Sequence, residues 1–301
     1  MSLRAISLPT ITTASLHTTG LYRFMTVIYD LHCHSDQSDG ILSPEALVSR
    51  AKSQNVEVLA LTDHDTTNGL ARAARQAEQE NMRLIPGIEF SSQWGNMGVH
   101  IVGLNIDLKS SALLEAIDSQ EKIRDERAIQ IGQRLEAKGI KGALQGAKKQ
   151  AGEGVICRPH FAHYMVEQGY VSSIEQAFKK YLGNGKAGDV KQFWPTFEQV
   201  IHWVSEASGC AVLAHPMKYK VTRTKLCAMV DAFKAAGGHA IEVVSGKQSQ
   251  AHTNDLAKIT NKYELLASCG SDFHRPGSEW QELGRHSQLP ETVTPVWHDW
   301  G

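Results

Sequence analysis

A chain of 301 residues with 31 Lys and Arg against 32 Asp and Glu, a formal net charge of −1, is not a general binder of polyanions. It is 42% hydrophobic and 21% charged. No apolar run approaches the roughly 20 residues that cross a bilayer, so the composition is that of a soluble globular protein with no membrane role. The five cysteines, Cys33, Cys157, Cys210, Cys227 and Cys269, include no C-x-x-C pair and fit buried thiols in a reducing, cytoplasmic setting better than a disulfide framework.

Residues 1–24 are rich in Ser and Thr, lack acidic residues and read as a disordered N-terminal extension outside the fold. Only Arg4 and Arg23 are basic there, which disfavours a transit peptide against a tail or an upstream start codon, with Met25 a candidate start. Seven short runs rich in β-branched residues follow, at Val27–Cys33, Glu57–Leu61, Arg83–Ile88, Val99–Leu104, Cys210–Ala214, Ala240–Val244 and Leu265–Cys269. They alternate with helical patterns, which predicts βα units around a parallel sheet. Ser43-Pro44-Glu45 supplies the N-cap, first-turn proline and acidic first turn of a helix, and Asn68, Thr222 and Ser249 are candidate caps of others.

Between the fourth and fifth runs lies a long stretch of helical character. Ser111–Lys138 places Leu114, Ile117, Ala128, Ile131 and Leu135 at helical spacings, with Gly139 as a stop. Further helices are expected near Pro159–Gln168 and Ser173–Leu182. The segment 109–191 holds 14 Lys and Arg against 10 Asp and Glu, a net +4 that leaves −5 for the rest of the chain. On its own such a segment is most often a solvated surface.

Within the strands, Asp30-Leu31-His32-Cys33-His34 sets two imidazoles two residues apart, on one face. Asp39 follows in a Ser38-Asp39-Gly40 turn. Later strands bring Thr62-Asp63-His64-Asp65, Gly87-Ile88-Glu89, Val99-His100-Ile101, Ala214-His215-Pro216 and Gly270-Ser271-Asp272-Phe273-His274. Nearly every one falls at a strand's carboxyl end, where a (β/α) barrel collects its active site. A lone H-x-H is more often packed than ligating. Six histidines and several carboxylates on one rim are not explained by packing, because unpaired buried charge is very costly. Imidazole with carboxylate suits Zn, Mn or Fe, and the lack of clustered cysteines argues against a purely structural zinc site. Several divalent cations would outweigh Asp39, Glu89 and Asp272 and leave a positive pocket selective for phosphate-like groups. Such cations lower the pKa of water, orient it and neutralise a departing oxygen.

This series, H-x-H, D-G, T-D-H-D, G-x-E, a strand His, A-H-P and S-D-x-H, resembles the polymerase and histidinol phosphatase (PHP) family over 26–275. The resemblance implies an α/β fold, a distorted TIM-like (β/α)7 barrel, in agreement with the seven strands counted. It divides the chain into a barrel at 25–108 and 192–290, an inserted helical substrate-binding subdomain at 109–191, and a tail at 291–301. It also implies two or three divalent metal ions, with manganese foremost and zinc or iron as alternatives. His32, His34, Glu89 and Asp272 would hold one; Glu89 would bridge to a second with His100 and His215; Asp39, His64 and His274 would hold a third.

Within the family, the insertion and its Cys157-Arg158-Pro159-His160-Phe161-Ala162 segment are similar to 3',5'-nucleoside bisphosphate phosphatases that include a 5'-to-3' exoribonuclease. Arg158 offers a fork for phosphate oxygens, and His160 could bind phosphate or protonate a leaving oxygen; the alternative is a helix-start arginine and a surface histidine. Asp65 and Arg275 flank ligands and could contact substrate or equally form surface ion pairs. Trp194, Trp203, Trp280, Trp297 and Trp300 form no regular stripe and read as core or edge packing. The glycines from Gly183 to Gly188 lack a P-loop lysine and read as a loop. Glu242 is expected at most to support a ligand.

The activity this reading implies is removal of the 3'-phosphate from a 3',5'-bisphosphate nucleoside, extended to release of 5'-mononucleotides from short RNA 5' ends, with no obligate protein partner. The alternatives are a histidinol-phosphate or other small-metabolite phosphatase, and a non-catalytic module that binds metal or phosphate. The amidohydrolases also begin with H-x-H but generally bridge their metals with a carboxylated lysine, in whose place Glu89 stands.

Overall fold

The computed structural model describes residues 27–190 and 194–300. The expected extension at 1–24 and the expected boundary at 191/192 lie outside them. All seven expected strands form: β1 Tyr29–Asp30, β2 Val58–Leu61, β3 Arg83–Trp94, β4 Met97–Leu104, β5 Cys210–Leu213, β6 Ala240–Ser245 and β7 Leu266–Gly270. They make one sheet in sequence order. Backbone bonds from Leu31 N–H to Cys269 O (3.0 Å), Asp272 N–H to His32 O (2.8 Å) and His34 N–H to Phe273 O (2.9 Å) bring β7 back against β1 and nearly close a barrel.

The sheet is not all parallel. β3 pairs with β4, and β4 with β5, in antiparallel fashion. Only Gly95 and Asn96 separate Trp94 from Met97, and Gly95 takes a φ of +56°, a two-residue hairpin turn in which a parallel crossover has no room. The third strand runs six residues past the expected end at Ile88, through Glu89-Phe90-Ser91-Ser92-Gln93-Trp94. Those polar residues conceal a strand whose two faces are both covered. Because β4 runs backwards, its opening half lies on the rim where the parallel strands end, and His100 pairs across from Ser91 there.

Outside the barrel lie α1 Pro44–Ser53, α2 Leu70–Gln79, α3 Ser111–Glu136, α4 Ala143–Ala151, α5 Arg158–Glu167, α6 Ile174–Ala177, α7 Phe197–Glu206, α8 Arg223–Ala235 and α9 Gln250–Lys262. Ser43, Thr222 and Ser249 cap as expected, accepting from the N–H groups of Ala46, Lys225 and His252. Asn68 does not: α2 begins after Gly69 with no side-chain cap. α4 was not foreseen, because Gly142 and Gly146 break its pattern. Gly146 is needed where a Cβ would meet the Tyr164 ring at 2.0 Å.

Alternate strand residues, among them Leu31, Ala60, Val102, Val212 and Ala214, fill the barrel. At its amino end Val296, Trp297 and Trp300 close the floor. Trp297 stacks on Tyr29 at 3.9 Å, and Val296 donates to Ala267 O at 2.8 Å. Val296, Trp297 and Trp300, in the segment expected as a tail, therefore help to seal the barrel. α3 to α6 gather a hydrophobic cluster of their own, including Ile131, Leu135, Phe161, Met165 and Leu182. No helix among the described residues is long and apolar enough to cross a membrane.

At the β1–β7 seam Gly270 leaves no room for a side chain: a Cβ would lie 2.4 Å from His32 Cβ and 2.7 Å from its backbone N. Gly270→Ala is expected to lower unfolding free energy by about 1–3 kcal/mol in urea melts. Gly98→Ala, where nothing lies within 4 Å, should stay within about 0.5 kcal/mol; equal effects would contradict the tight seam.

Candidate active site

The structure brings all nine expected ligands to one rim, and Glu89 is their centre. One carboxylate oxygen of this buried residue lies 3.3 Å from His32 Nε2, 3.3 Å from His34 Nε2 and 3.0 Å from His64 Nδ1. Its other oxygen lies 2.9 Å from His100 Nδ1 and 3.0 Å from His215 Nε2. Asp272 Oδ1 sits 3.6 Å from His32 Nε2 and 3.3 Å from His34 Nε2. Asp39 Oδ1 faces His274 Nε2 at 3.3 Å, His64 Nε2 at 3.7 Å and His34 Nδ1 at 3.9 Å.

The tautomers say what these atoms face each other for. His32 Nδ1 is 3.2 Å from both oxygens of Glu242, and His274 Nδ1 is 2.9 Å from the Asp272 carbonyl. Each such bond takes the ring's one proton at neutral charge, so Nε2 presents a lone pair to carboxylate oxygens. Lone pairs pointed at lone pairs repel unless a cation or a proton lies between them. His32 Nε2, His34 Nε2, His64 Nδ1, Asp39 Oδ1 and Glu89 Oε2 are all buried with no hydrogen-bond partner, which native interiors rarely tolerate. The donors fall into overlapping groups, each with its ligand atoms within 4.8 Å of one another: His34, Asp39, His64 and His274; His32, Glu89 and His215; His32, His34 and Asp272; His64, Glu89 and His100. This nitrogen and oxygen set fits divalent cations.

The electrostatics agree. Burial opposes charge on Glu89, yet His32, His100 and His64 hold its carboxyl well below the usual range. Asp39 is likewise held low against burial, by His274 and His64. Burial alone would depress His32, but Glu89 and Glu242 outweigh it and lift the ring to about 10, so that a second proton, on Nε2, faces Glu89 wherever no cation does. Burial takes His215 down to about 4 and His64 well below its usual value. Glu89 and Asp39 are thus kept ionised and His64 and His215 neutral, the states in which both groups ligate metal.

Carboxylates that are not in the ligand set hold the loops that are. Glu242 also accepts the His215 N–H at 2.6 Å. Asp63 accepts from Ser35 Oγ and Ser38 Oγ, both at 2.6 Å, and so shapes the turn that delivers Asp39. Asp30 accepts the Ser271 N–H at 2.8 Å beside Asp272. His215 and Asp272 take φ values of +30° and +52°, a left-handed backbone that costs non-glycine residues on the order of 1 kcal/mol each.

The cluster opens, through Asp39, His64 and His100, on a cavity of about 1020 Å³ whose walls carry Arg124, Arg127, Arg158 and Lys218. Arg158 lines it, 5.9 Å over the Phe178 ring. Arg124 and Arg127 were missed. They lie three apart on α3 and pack against the Trp194 ring at 5.3 and 5.4 Å, and Trp194 lines the cavity rather than the core. Arg-x-x-Arg on one helix face was the available signal. Lys218, also missed, ion-pairs with Asp272.

Three residues expected to contact substrate have protein partners of their own. Asp65, buried with φ +52°, gives its carboxylate to Arg124 (2.6 and 2.7 Å), Ser91 N–H (2.6 Å) and Gln120 (3.0 Å), so it pins α3 to the barrel and does not open into the cavity. His160 is buried, and its Nδ1 accepts the Cys157 N–H at 3.0 Å, capping α5; burial lowers it to about 4. Arg275 is exposed and lies 3.9 Å from Glu175, outside the cavity.

A near-closed (β/α) barrel with a histidine and carboxylate cluster at its carboxyl rim defines the class. A PHP domain model matches residues 30–183, and the chain belongs to the PHP family. It is 45% identical over 276 residues to the 5'-3' exoribonuclease Rnm of Escherichia coli, covering 91% of this chain and 94% of that one. It is 41% identical over 271 residues to the 3',5'-nucleoside bisphosphate phosphatase of Chromobacterium violaceum, covering 90% and 95%. A solved structure described as an amidohydrolase from Chromobacterium violaceum, with bound sulfate and no metal, superposes with a TM-score of 0.85 at 41% identity over 91% of this chain and 95% of that one.

Asp65→Ala strands the Arg124 charge in the interior and is expected to cost about 3–5 kcal/mol in chemical denaturation. Adding Arg124→Met on that background should cost little more. Two independent, additive losses would contradict the buried pair.

Proposed function

We propose that the protein is a metal-dependent phosphoesterase that removes the 3'-phosphate of 3',5'-nucleoside bisphosphates and releases 5'-mononucleotides from short RNA by the same chemistry. The single observation that carries this reading is the position of the ligand cluster under a wall of three arginines and a lysine. That arrangement suits a substrate with one phosphate at the cluster and a second anionic group nearby. The names of the relatives at 41% and 45% identity support the same substrate class. The opening between barrel and helices carries the remaining selectivity, with 109–191 acting as a substrate-binding subdomain through Arg127 and Arg158.

In this reading His32, His34, Glu89, Asp272, His100, His215, Asp39, His64 and His274 hold two or three divalent ions, manganese foremost. Bound there, such ions supply Lewis acidity to the phosphoryl oxygens and acidify water. Glu242 fixes the His32 tautomer and the His215 backbone. Arg158, with Arg127, neutralises phosphate charge that grows in the transition state, while Arg124, its charge met by Asp65, holds the wall in place. Trp194, against the Arg124 and Arg127 guanidinium groups, offers an aromatic edge of the cavity wall to a base. Histidinol phosphate carries an ammonium and an imidazole but no second phosphate, so this cationic wall disfavours it.

Manganese-loaded protein is expected to release phosphate from a bisphosphate nucleoside and mononucleotide from a 5'-phosphorylated oligoribonucleotide in preference to acting on histidinol phosphate; the reverse preference would overturn the substrate class. His34→Ala should lose turnover and bound metal together, and full activity in metal-free variant protein would refute the assignment. Glu242→Gln should weaken metal affinity by about 10–100-fold, read by titration against a chelating indicator.

A further inference from the structure

A second, smaller cavity flanks the ligand cluster on its other side. Its volume is about 380 Å³, and Lys218 lines both cavities. His215 and the Ser271-Gln281 wall border it on the cluster side; Gln281 donates to the Asp272 carbonyl at 2.7 Å. Its outer side carries Lys247, His252 and Trp280.

Trp280 is the most exposed large hydrophobic residue among those described, at 70%. Its backbone is nevertheless fixed. Lys247 N–H donates to the Trp280 carbonyl at 2.8 Å, and Gly246, at φ +53°, lets that carbonyl come within 2.4 Å of where a Cβ would be. An indole held out to solvent on a rigid turn, beside a lysine, has no packing purpose. The same cavity receives the start of α9, whose helix dipole adds to Lys218 and Lys247. An exposed aromatic face with cationic neighbours is what a single-stranded nucleic acid requires.

The reaction gives this cavity a use. Release of a 5'-mononucleotide with a free 3'-hydroxyl breaks the bond between phosphorus and the 3'-oxygen of the first nucleotide. Water's hydroxyl goes to phosphorus, its proton goes to the 3'-oxygen, and the phosphate stays on the 5'-oxygen of the second nucleotide. The first nucleotide occupies the arginine-lined cavity, so the rest of the chain has to leave the cluster by another way. We infer that the cavity bounded by Lys218, Lys247, His252 and Trp280 holds the second nucleotide of an RNA substrate, its base on the Trp280 ring and its onward phosphate at Lys247. The inference rests on the phosphoesterase reading above. Its volume lies within the roughly 300–1,000 Å³ of small-ligand pockets, room for one nucleotide rather than a strand.

The test compares Trp280→Ala, Trp280→Phe and Lys247→Ala with the parent protein on a 3',5'-bisphosphate nucleoside and a 5'-phosphorylated oligoribonucleotide. Trp280→Ala is expected to lower kcat/KM on the oligonucleotide by about 5–100-fold and to leave the bisphosphate within about twofold, with Trp280→Phe restoring most of the loss. Lys247→Ala should flatten the salt dependence of oligonucleotide turnover by about one phosphate contact. Unchanged oligonucleotide turnover, or equal losses on both substrates, would overturn the inference. A parent protein active on the bisphosphate but inert on the oligonucleotide would overturn it while sparing the phosphatase reading; a parent protein inert on both would sink that reading first.

Discussion

The structure depends on one carboxylate. Glu89 lies fully buried with five imidazole nitrogens, from His32, His34, His64, His100 and His215, within 3.3 Å of its two oxygens. Two oxygens offer about four lone-pair directions, so five rings cannot all be satisfied as hydrogen-bond donors to one side chain. Where the ring proton is already spent on an outer partner, as in His274, the inward nitrogen is an acceptor facing an acceptor, and His32 can face Glu89 only by carrying a second proton. Divalent charge resolves that conflict, and nothing apolar would. The cost of assembling so many ionisable groups is borne by a barrel whose opposite end is sealed with Val296, Trp297 and Trp300.

Around this centre the fold works as a set of braces. Glu242 holds His32 and His215, Asp63 shapes the Asp39 turn, and Asp30 ties down the loop of Asp272. Asp65 reaches outward instead, drawing Arg124 and the whole of α3 against the rim. That contact couples the helices to the cluster and sets Arg124 and Arg127 against Trp194 in the cavity wall. The basic excess of 109–191, which by itself would suggest only a solvated surface, is in part concentrated at this cavity.

How much of this was legible in the sequence depended on the range of the interaction. The seven strands and the ligand residues could be read because each sits in a short motif at a strand end, where period-two alternation and the barrel's polarity fix the direction of a side chain. The β3–β4 hairpin could not be read from hydrophobicity, since Glu89 to Gln93 looks too polar for a strand until both its faces are seen to be covered. The Gly95-Asn96 turn was the signal passed over. Asp65 and Arg124 lie 59 residues apart, and no local pattern distinguishes a carboxylate that grips a helix from one that contacts a ligand. His160 misled for another reason: its ring caps its own helix through Cys157 and meets the Ser38 backbone, and a motif beside an arginine gave no sign of either. Trp194 and Trp280 form no stripe, so their exposure to two cavities emerged only in three dimensions.

The central claim is that Glu89 is shared among cations rather than hydrogen-bonded to a ring of imidazoles. Anomalous diffraction from crystals of the manganese-loaded protein, recorded on either side of the manganese edge, tests it directly. The account predicts two or three peaks within ligand distance of Glu89, Asp39 and Asp272, each also bonded to the histidine nitrogens facing those carboxylates. Peaks elsewhere, or a fully loaded protein in which Glu89 keeps direct contacts to the imidazoles with no ion between them, would contradict it.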